Sequence, residues 1–379
     1  MPHSAPVPAA VPAPVPTPVS GGPLHFAVAG PIGQRTGGYI YDRRIVEELR
    51  GQGVAVALHE LPGRHPLADA AARAAAAAML DRLPDGALLV VDGLALPALA
   101  PDLPRHAGRL RLVALIHHPL ALETGLAEAE RAALDRAERA ALAQARRVLA
   151  PSRTTAADLR AMGVAERRIG IVPPGCDHAG DARRQGSDRM REGRTGPARL
   201  LCVATLTPRK GHALLIEALA GLRDLDWRLD CVGSLDRDPA TAAAVRAAVD
   251  RHGLAGRVAL HGERAPAALA PFYRAADLFV LASFHEGYGM VLAEALSCGL
   301  PVVATAGGAI PEVVPPAAGL LVPPGDAAAL RTALRRLLTE PDKRAAMAEA
   351  AARLRFPTWA EAAARFAAEL GRTQGQPGD

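Results

Sequence analysis

Two doubly wound α/β domains facing one another across a cleft are the fold class this sequence predicts, on three observations. The 379 residues exceed what one ordinary hydrophobic core encloses. Short apolar runs alternate with helical stretches in the order strand, loop, helix, and this alternation occurs twice. Between the two series lies a polar stretch rich in Arg and Gly, 180–197, which has no periodicity and reads as a linker.

Each element follows from its pattern. In the first half the runs His25–Gly30, Val54–Glu60, Ala87–Gly93, Leu110–His117, Arg147–Ser152 and Ile169–Pro173 are near-continuously apolar. Such runs suit parallel strands covered on both faces. Tyr41, Ile45 and Leu49 recur at a spacing of four, with Gly51 and Gly53 as stop signals, which predicts a helix after the first strand. The second half repeats the scheme with strands at Leu200–Leu206, Trp227–Gly233, Arg257–Gly262, Asp277–Ser283, Pro301–Thr305 and Gly319–Val322. Its helices are predicted at His212–Leu222, Thr241–His252, Met290–Cys298 and Asp326–Leu338. An amphipathic stretch, Thr358–Leu370, closes the chain as a helix. The domains are therefore 24–179 and 198–355, with a closing helix and tail at 356–379. The leading residues 1–23 are a Pro-rich tail expected to be extended and disordered. In sheets of this kind ligands sit beyond the carboxyl ends of the strands.

Composition narrows the function classes. Half the residues are hydrophobic and 22% charged, a globular composition. Only 3% are aromatic, which argues against a stacking platform for nucleic acid. The formal charge of +5 is modest; it suits an anionic ligand or an acidic surface without requiring either. Cys176, Cys202, Cys231 and Cys298 lie far apart, without C-x-x-C spacing, and read as free thiols of a reducing cytoplasm. No apolar run reaches the ~18 residues of a membrane span. The linker arginines Arg183, Arg184, Arg189, Arg191 and Arg194 allow a peripheral contact with the inner membrane face, although a solvated linker is the plainer reading.

The segment from Phe284 to Leu296 carries the most chemistry. It follows a strand and opens a helix, so Gly287 and Gly289 permit a tight turn, and Tyr288, Met290 and Val291 bring the first free helix amides towards a ligand. Glu286 on the loop is placed to accept from sugar hydroxyls. Glu294, on an otherwise apolar helix, requires a polar partner. Arg209 and Lys210 lie between the first strand of the second half and its helix, where a planar fork and a point charge would meet a pyrophosphate. Gly37 and Gly38 open a helix after the first strand. They are not part of a G-x-G-x-x-G fingerprint, so an NAD-dependent oxidoreductase is disfavoured. His117 and His118 stand at the end of another strand. Of two D-x-D sequences, Asp224–Asp226 precedes a strand and Arg237 divides the acids of Asp236–Asp238, so neither is read as a metal site.

Glu286 and Glu294, with Cys298–Ala304 and Gly307–Glu312 beyond them, resemble the E-x7-E region of retaining glycosyltransferases of the GT-B fold, family four. The likeness runs through residues 25–355 in element order and is strongest in the second half. It implies transfer of a sugar from a nucleotide-diphosphate donor without a metal or other cofactor. In that family the first acid contacts the donor sugar near its C3 hydroxyl and the second holds the ribose. Its diphosphate-binding Arg and Lys fall on Arg209 and Lys210, and its glycine loop falls on Gly37 and Gly38. Its strand-end histidine falls on His117, with His118 in reserve. The acid usual near Arg146 and Arg147 is replaced here by Arg. The acceptor stays open between a glycan, a lipid and a small metabolite. The alternative is a non-catalytic nucleotide-sugar binder or scaffold on the same fold.

Overall fold

The computed structural model describes residues 22–177 and 196–373. The Pro-rich tail up to residue 21, nearly all of the linker with its five arginines, and the last six residues lie outside the described residues. Within them are two sheets of six strands each, parallel throughout.

The first sheet contains β1 (Leu24–Ala29), β2 (Val56–Leu61), β3 (Leu88–Asp92), β4 (Arg111–Leu115), β5 (Arg147–Ala150) and β6 (Ile169–Ile171), in the order β2-β1-β3-β4-β5-β6. The second contains β7 (Ala198–Val203), β8 (Trp227–Val232), β9 (Val258–Leu260), β10 (Leu278–Leu281), β11 (Val302–Thr305) and β12 (Gly319–Val322), in the order β12-β11-β10-β7-β8-β9. All twelve strands fall on the apolar runs of the sequence, mostly shortened where the backbone turns into a loop. β2 is displaced towards its carboxyl end, and it is also the half-buried edge of its sheet.

Strand order determines where a ligand can bind. Succession reverses between β1 and β3 in the first sheet and between β7 and β10 in the second, and a crevice opens at such a switch point. The loop after β1 leads into Gly37 and Gly38 at the start of the helix Gly37–Gly51, and β3 ends on Asp92. The loops after β7 and β10 carry Arg209, Lys210 and Glu286. Both crevices face the same cleft.

Helix boundaries follow local chemistry. The helix Pro239–Arg251 starts earlier than its apolar period suggests because Asp238 caps it, accepting from the Thr241 amide at 2.9 Å, and Pro239 suits the first turn. In the two D-x-D sequences, Asp238 thus serves as a helix cap and Asp224 pairs with Arg335 at 2.6 Å.

The closing helix, Trp359–Gly371, does not pack on the domain that precedes it. Thr358 and Glu361 form a capping box at its start. Trp359, Ala363, Phe366 and Leu370 then complete the apolar face of the first sheet beside Phe26, Val28, Tyr41 and Leu149. The rings of Phe26 and Phe366 stack at 6.3 Å. Arg147 is buried and pairs with Glu369 of this helix, which fastens the helix to the first sheet.

Phe366 is wholly buried. Phe366→Ala is therefore expected to destabilise the first domain by about 3–5 kcal/mol. Denaturant titration followed by circular dichroism measures this, and an unmoved first transition would show that the helix is not part of that core.

Candidate active site

A cleft of about 560 Å³ lies between the domains. Every residue singled out from the sequence lines it: Gly37, Gly38, His117, His118, Arg209, Lys210, Glu286, Gly287, Tyr288, Gly289, Met290, Val291 and Glu294.

The donor-half wall is built by two loops that hold one another. After β7 the chain forms a 3₁₀ turn, Pro208–Lys210, ended by Gly211 at φ +66°. A Cβ on Gly211 would come 2.1 Å from the Ala282 carbonyl, so only glycine lets this turn reach the β10 strand end. The Phe284 amide then donates to the Arg209 carbonyl at 2.8 Å. Glu286, on the loop after β10, is buried at 7% exposure. Its Oε1 accepts from Lys210 Nζ at 2.6 Å, and its Oε2 lies 3.5 Å from Arg209 Nη1. Burial alone would push the Glu286 carboxyl up. The Lys210 and Arg209 charges outweigh that effect and hold it at about 2. Lys210 is itself brought below its ordinary value, first by burial and then by the neighbouring Arg209 charge, with Glu286 opposing.

Gly289, at φ +94°, turns the chain into the helix Met290–Ser297. Glu294 lies one turn into this helix and accepts from the Tyr273 hydroxyl at 2.7 Å. Burial pushes its carboxyl up to about 7, against the pull of that hydrogen bond. The partner that the sequence required for Glu294 is therefore a tyrosine on the helix Pro266–Ala275.

On the opposite wall, His117 Nε2 lies 2.9 Å from Asp42 Oδ1 and 3.5 Å from Asp92 Oδ2, both acids being almost fully buried. Burial lowers the His117 basicity, but the two carboxylates overcome it and the net shift is upward. Burial first, and the Asp42 charge second, raise Asp92 to about 7. Gly38 also packs against His117. A Cβ there would lie 3.0 Å from His117 Cδ2, so the imidazole occupies the space a side chain would need.

The two walls are in contact. A Cβ on Gly287 would fall 1.8 Å from the His117 carbonyl oxygen, so the backbones pack directly. Thr155 Oγ1 donates to the Gly287 carbonyl at 3.2 Å. Glu312 accepts from the Arg153 and Thr154 amides at the start of the helix Arg153–Ala161. Glu123, from the loop after β4, reaches across to Arg209.

Asp42, Asp92, Glu123 and Tyr273 escaped the sequence reading, and Glu312 was read only as part of the motif beyond Glu294. Asp92 had a signal, since it ends the otherwise apolar run Leu88–Val91 at the binding edge of the sheet. Asp42 sits beside Tyr41 in a helix whose inward face was read from apolar residues alone. Glu123 stands in an irregular stretch where no period applies. Asp42, Asp92 and His117 are also the one set among the described residues close enough to ligate an ion together. The four cysteines are buried and form no disulfide among the described residues.

Two parallel doubly wound domains with facing switch points make up the GT-B architecture. Comparison with known proteins agrees with it. Sucrose-phosphate synthase from Thermosynechococcus elongatus superposes with a TM-score of 0.73 at 24% identity, over 93% of this chain and 99% of the other. The Anabaena protein HepE in complex with UDP-glucose gives 0.69 at 20% identity, over 92% and 98%. The family descriptions Glycosyltransferase Family 4 and Glycosyl transferases group 1 match residues 39–179 and 187–354, one on each domain. The chain belongs to the group 1, family 4 glycosyltransferases. The D-inositol 3-phosphate glycosyltransferase of Xylanimonas cellulosilytica is 35% identical over 229 residues, 57% of this chain and 54% of that protein. The chain thus spans about half the length of the curated relatives it matches. Among the described residues, no helix is long and apolar enough to cross a membrane.

Because the folded value of Glu294 lies above its ordinary 4.5, its contribution to stability is complete below that pH and is lost as the pH rises towards about 7. Glu294→Gln keeps the Tyr273 contact and removes this loss. Thermal melts of the ligand-free protein should show variant and parent alike at pH 4 and the variant more stable at pH 8. A constant difference across that range would contradict the assignment.

Proposed function

We propose that this protein transfers a sugar, with retention of configuration, from a nucleoside-diphosphate donor to an acceptor hydroxyl, and does so without a metal. The observation that carries this reading is the Arg209–Lys210–Glu286 cluster at the second sheet's switch point, opening on a cleft that also holds Glu294, His117 and the Gly287–Met290 turn.

The reaction breaks the bond between the anomeric carbon and a diphosphate oxygen. Positive charge grows on the sugar ring and negative charge on the leaving group. Arg209, Lys210 and the backbone amides that begin the Met290 helix meet the second of these, each well-placed donor being worth about 3–4 kcal/mol. Glu286 fixes both cations before any donor arrives, so little reorganisation is needed during the reaction. By the family resemblance, Glu286 also contacts the donor sugar and Glu294 the ribose. The acceptor hydroxyl attacks from the face the diphosphate leaves, and its proton passes to the departing phosphate oxygen. Closure of the two domains on the donor excludes water, which would otherwise hydrolyse it, and Gly287 packs on His117 at that seam.

Asp42, Asp92 and His117 could supply a three-ligand ion site. In this reading they instead hold one hydrogen-bonded charge network that fixes the imidazole towards the cleft, and the two cations opposite take the role an ion plays at a diphosphate. HepE is named as binding UDP-glucose and the Xylanimonas relative as acting on a phosphorylated inositol. Uridine-diphosphate sugars are accordingly the first donors to try, with glycans, lipid headgroups and phosphorylated or free polyols as the acceptor panel.

Lys210→Ala is expected to lower turnover about 10²–10³-fold while the protein remains folded. Release of nucleoside diphosphate, followed by a coupled assay, measures it, and turnover close to the parent's would remove the leaving-group role. Activity should also survive exhaustive dialysis against EDTA. Loss on chelation with recovery on adding one divalent ion would overturn the metal-free mechanism and point to Asp42, Asp92 and His117.

A further inference from the structure

Arg209 is held from both sides of the cleft. Its Nη1 donates to the His285 carbonyl at 2.6 Å and faces Glu286, both on its own half of the molecule. Its Nε lies 3.0 and 3.2 Å from the two oxygens of Glu123, which belongs to the other half. Glu123 Oε2 also lies 3.4 Å from His118 Nε2, and Glu123 Oε1 accepts from the Thr124 amide.

The charges at this point cancel. Arg209 and Lys210 supply two positive charges, and Glu286 and Glu123 supply two negative ones. A diphosphate entering a neutral cluster gains little from Coulomb attraction, and the guanidinium edge it would use is already occupied. One acid must therefore leave. Glu286 cannot: its side chain is 9% exposed and is held by both cations within a packed loop. Glu123 can: its side chain is 36% exposed and follows a short 3₁₀ turn on an irregular loop.

Resting on the sugar-transfer reading above, we propose that Glu123 is a resident anion that holds the diphosphate position on Arg209 and is displaced when a nucleoside diphosphate binds. Its departure leaves the cluster with one net positive charge and frees the guanidinium Nε–H for a phosphate oxygen. It also returns Glu123 and His118 to the acceptor side of the cleft. Donor binding thereby unmasks polar groups on the half of the molecule that receives the acceptor, and an empty site keeps them tied to Arg209.

The test is isothermal titration of the full chain with uridine, guanosine and adenosine diphosphates, and with the matching monophosphates. Glu123→Gln removes the charge and keeps the shape, and Glu123→Ala removes both. Both variants are expected to bind the preferred diphosphate about tenfold more tightly than the parent, with monophosphate affinity changed by less than about twofold. Equal or weaker diphosphate binding by both variants would overturn displacement and make Glu123 a lasting positioner of Arg209, while sugar transfer itself would stand. A parallel gain for mono- and diphosphates would also overturn it, because a general change in cleft charge would then suffice. Failure of every nucleotide to bind parent and variants alike would remove the sugar-transfer reading and this inference together.

Discussion

The buried carboxylate of Glu286 is the constraint on which the site depends. An acid taken out of water is tolerated only when charges and donors replace its hydration. Here that requirement brings Lys210 and Arg209 into one place and binds the loop after β7 to the loop after β10. Removing one partner from such a group costs about 3–5 kcal/mol, largely as an uncompensated charge. The same arrangement that makes the loops rigid leaves two cations aimed at the switch point of the sheet, where the fold opens its crevice. Structure and chemistry therefore share one set of atoms.

The opposite wall uses the same device with the signs reversed. His117 stands between Asp42 and Asp92, and these acids raise the imidazole's basicity against the effect of burial. Gly38 gives the ring its space within the first domain, and Gly287 packs on the His117 carbonyl across the boundary between the domains. Glu312 adds a carboxylate to a helix amino terminus across the same boundary. The closing helix returns to the first domain through Phe366 and the Arg147–Glu369 pair. The contacts of Gly287, Glu312 and the closing helix, with Thr155–Gly287 and Glu123–Arg209, cross between the two halves of the chain.

Much of this was legible in the residues. Buried parallel strands are nearly continuous apolar runs, so Leu88–Val91 or Val302–Ala304 announce themselves, and the glycines around Glu286 mark a strand-to-helix turn. All thirteen residues chosen from the sequence line the cleft. What remained hidden was pairing. Glu286 reads as a loop acid, and nothing local shows that Lys210, 76 positions away, will cover it. Glu123 and Asp42 carry no periodic signal: Glu123 takes its meaning where the domains meet, and Asp42 where the first helix packs against the strand end that carries His117. The destination of the closing helix was equally non-local, since an amphipathic stretch states that it has an apolar face without naming the surface that receives it.

A crystal structure of the protein with a hydrolysis-resistant nucleoside-diphosphate sugar tests the central claim most directly. The account requires diphosphate oxygens within hydrogen-bonding distance of Lys210 Nζ and the Arg209 guanidinium, with the ribose against Glu294. A nucleotide bound elsewhere, with Lys210 and Glu286 still closed on each other and untouched, would contradict it.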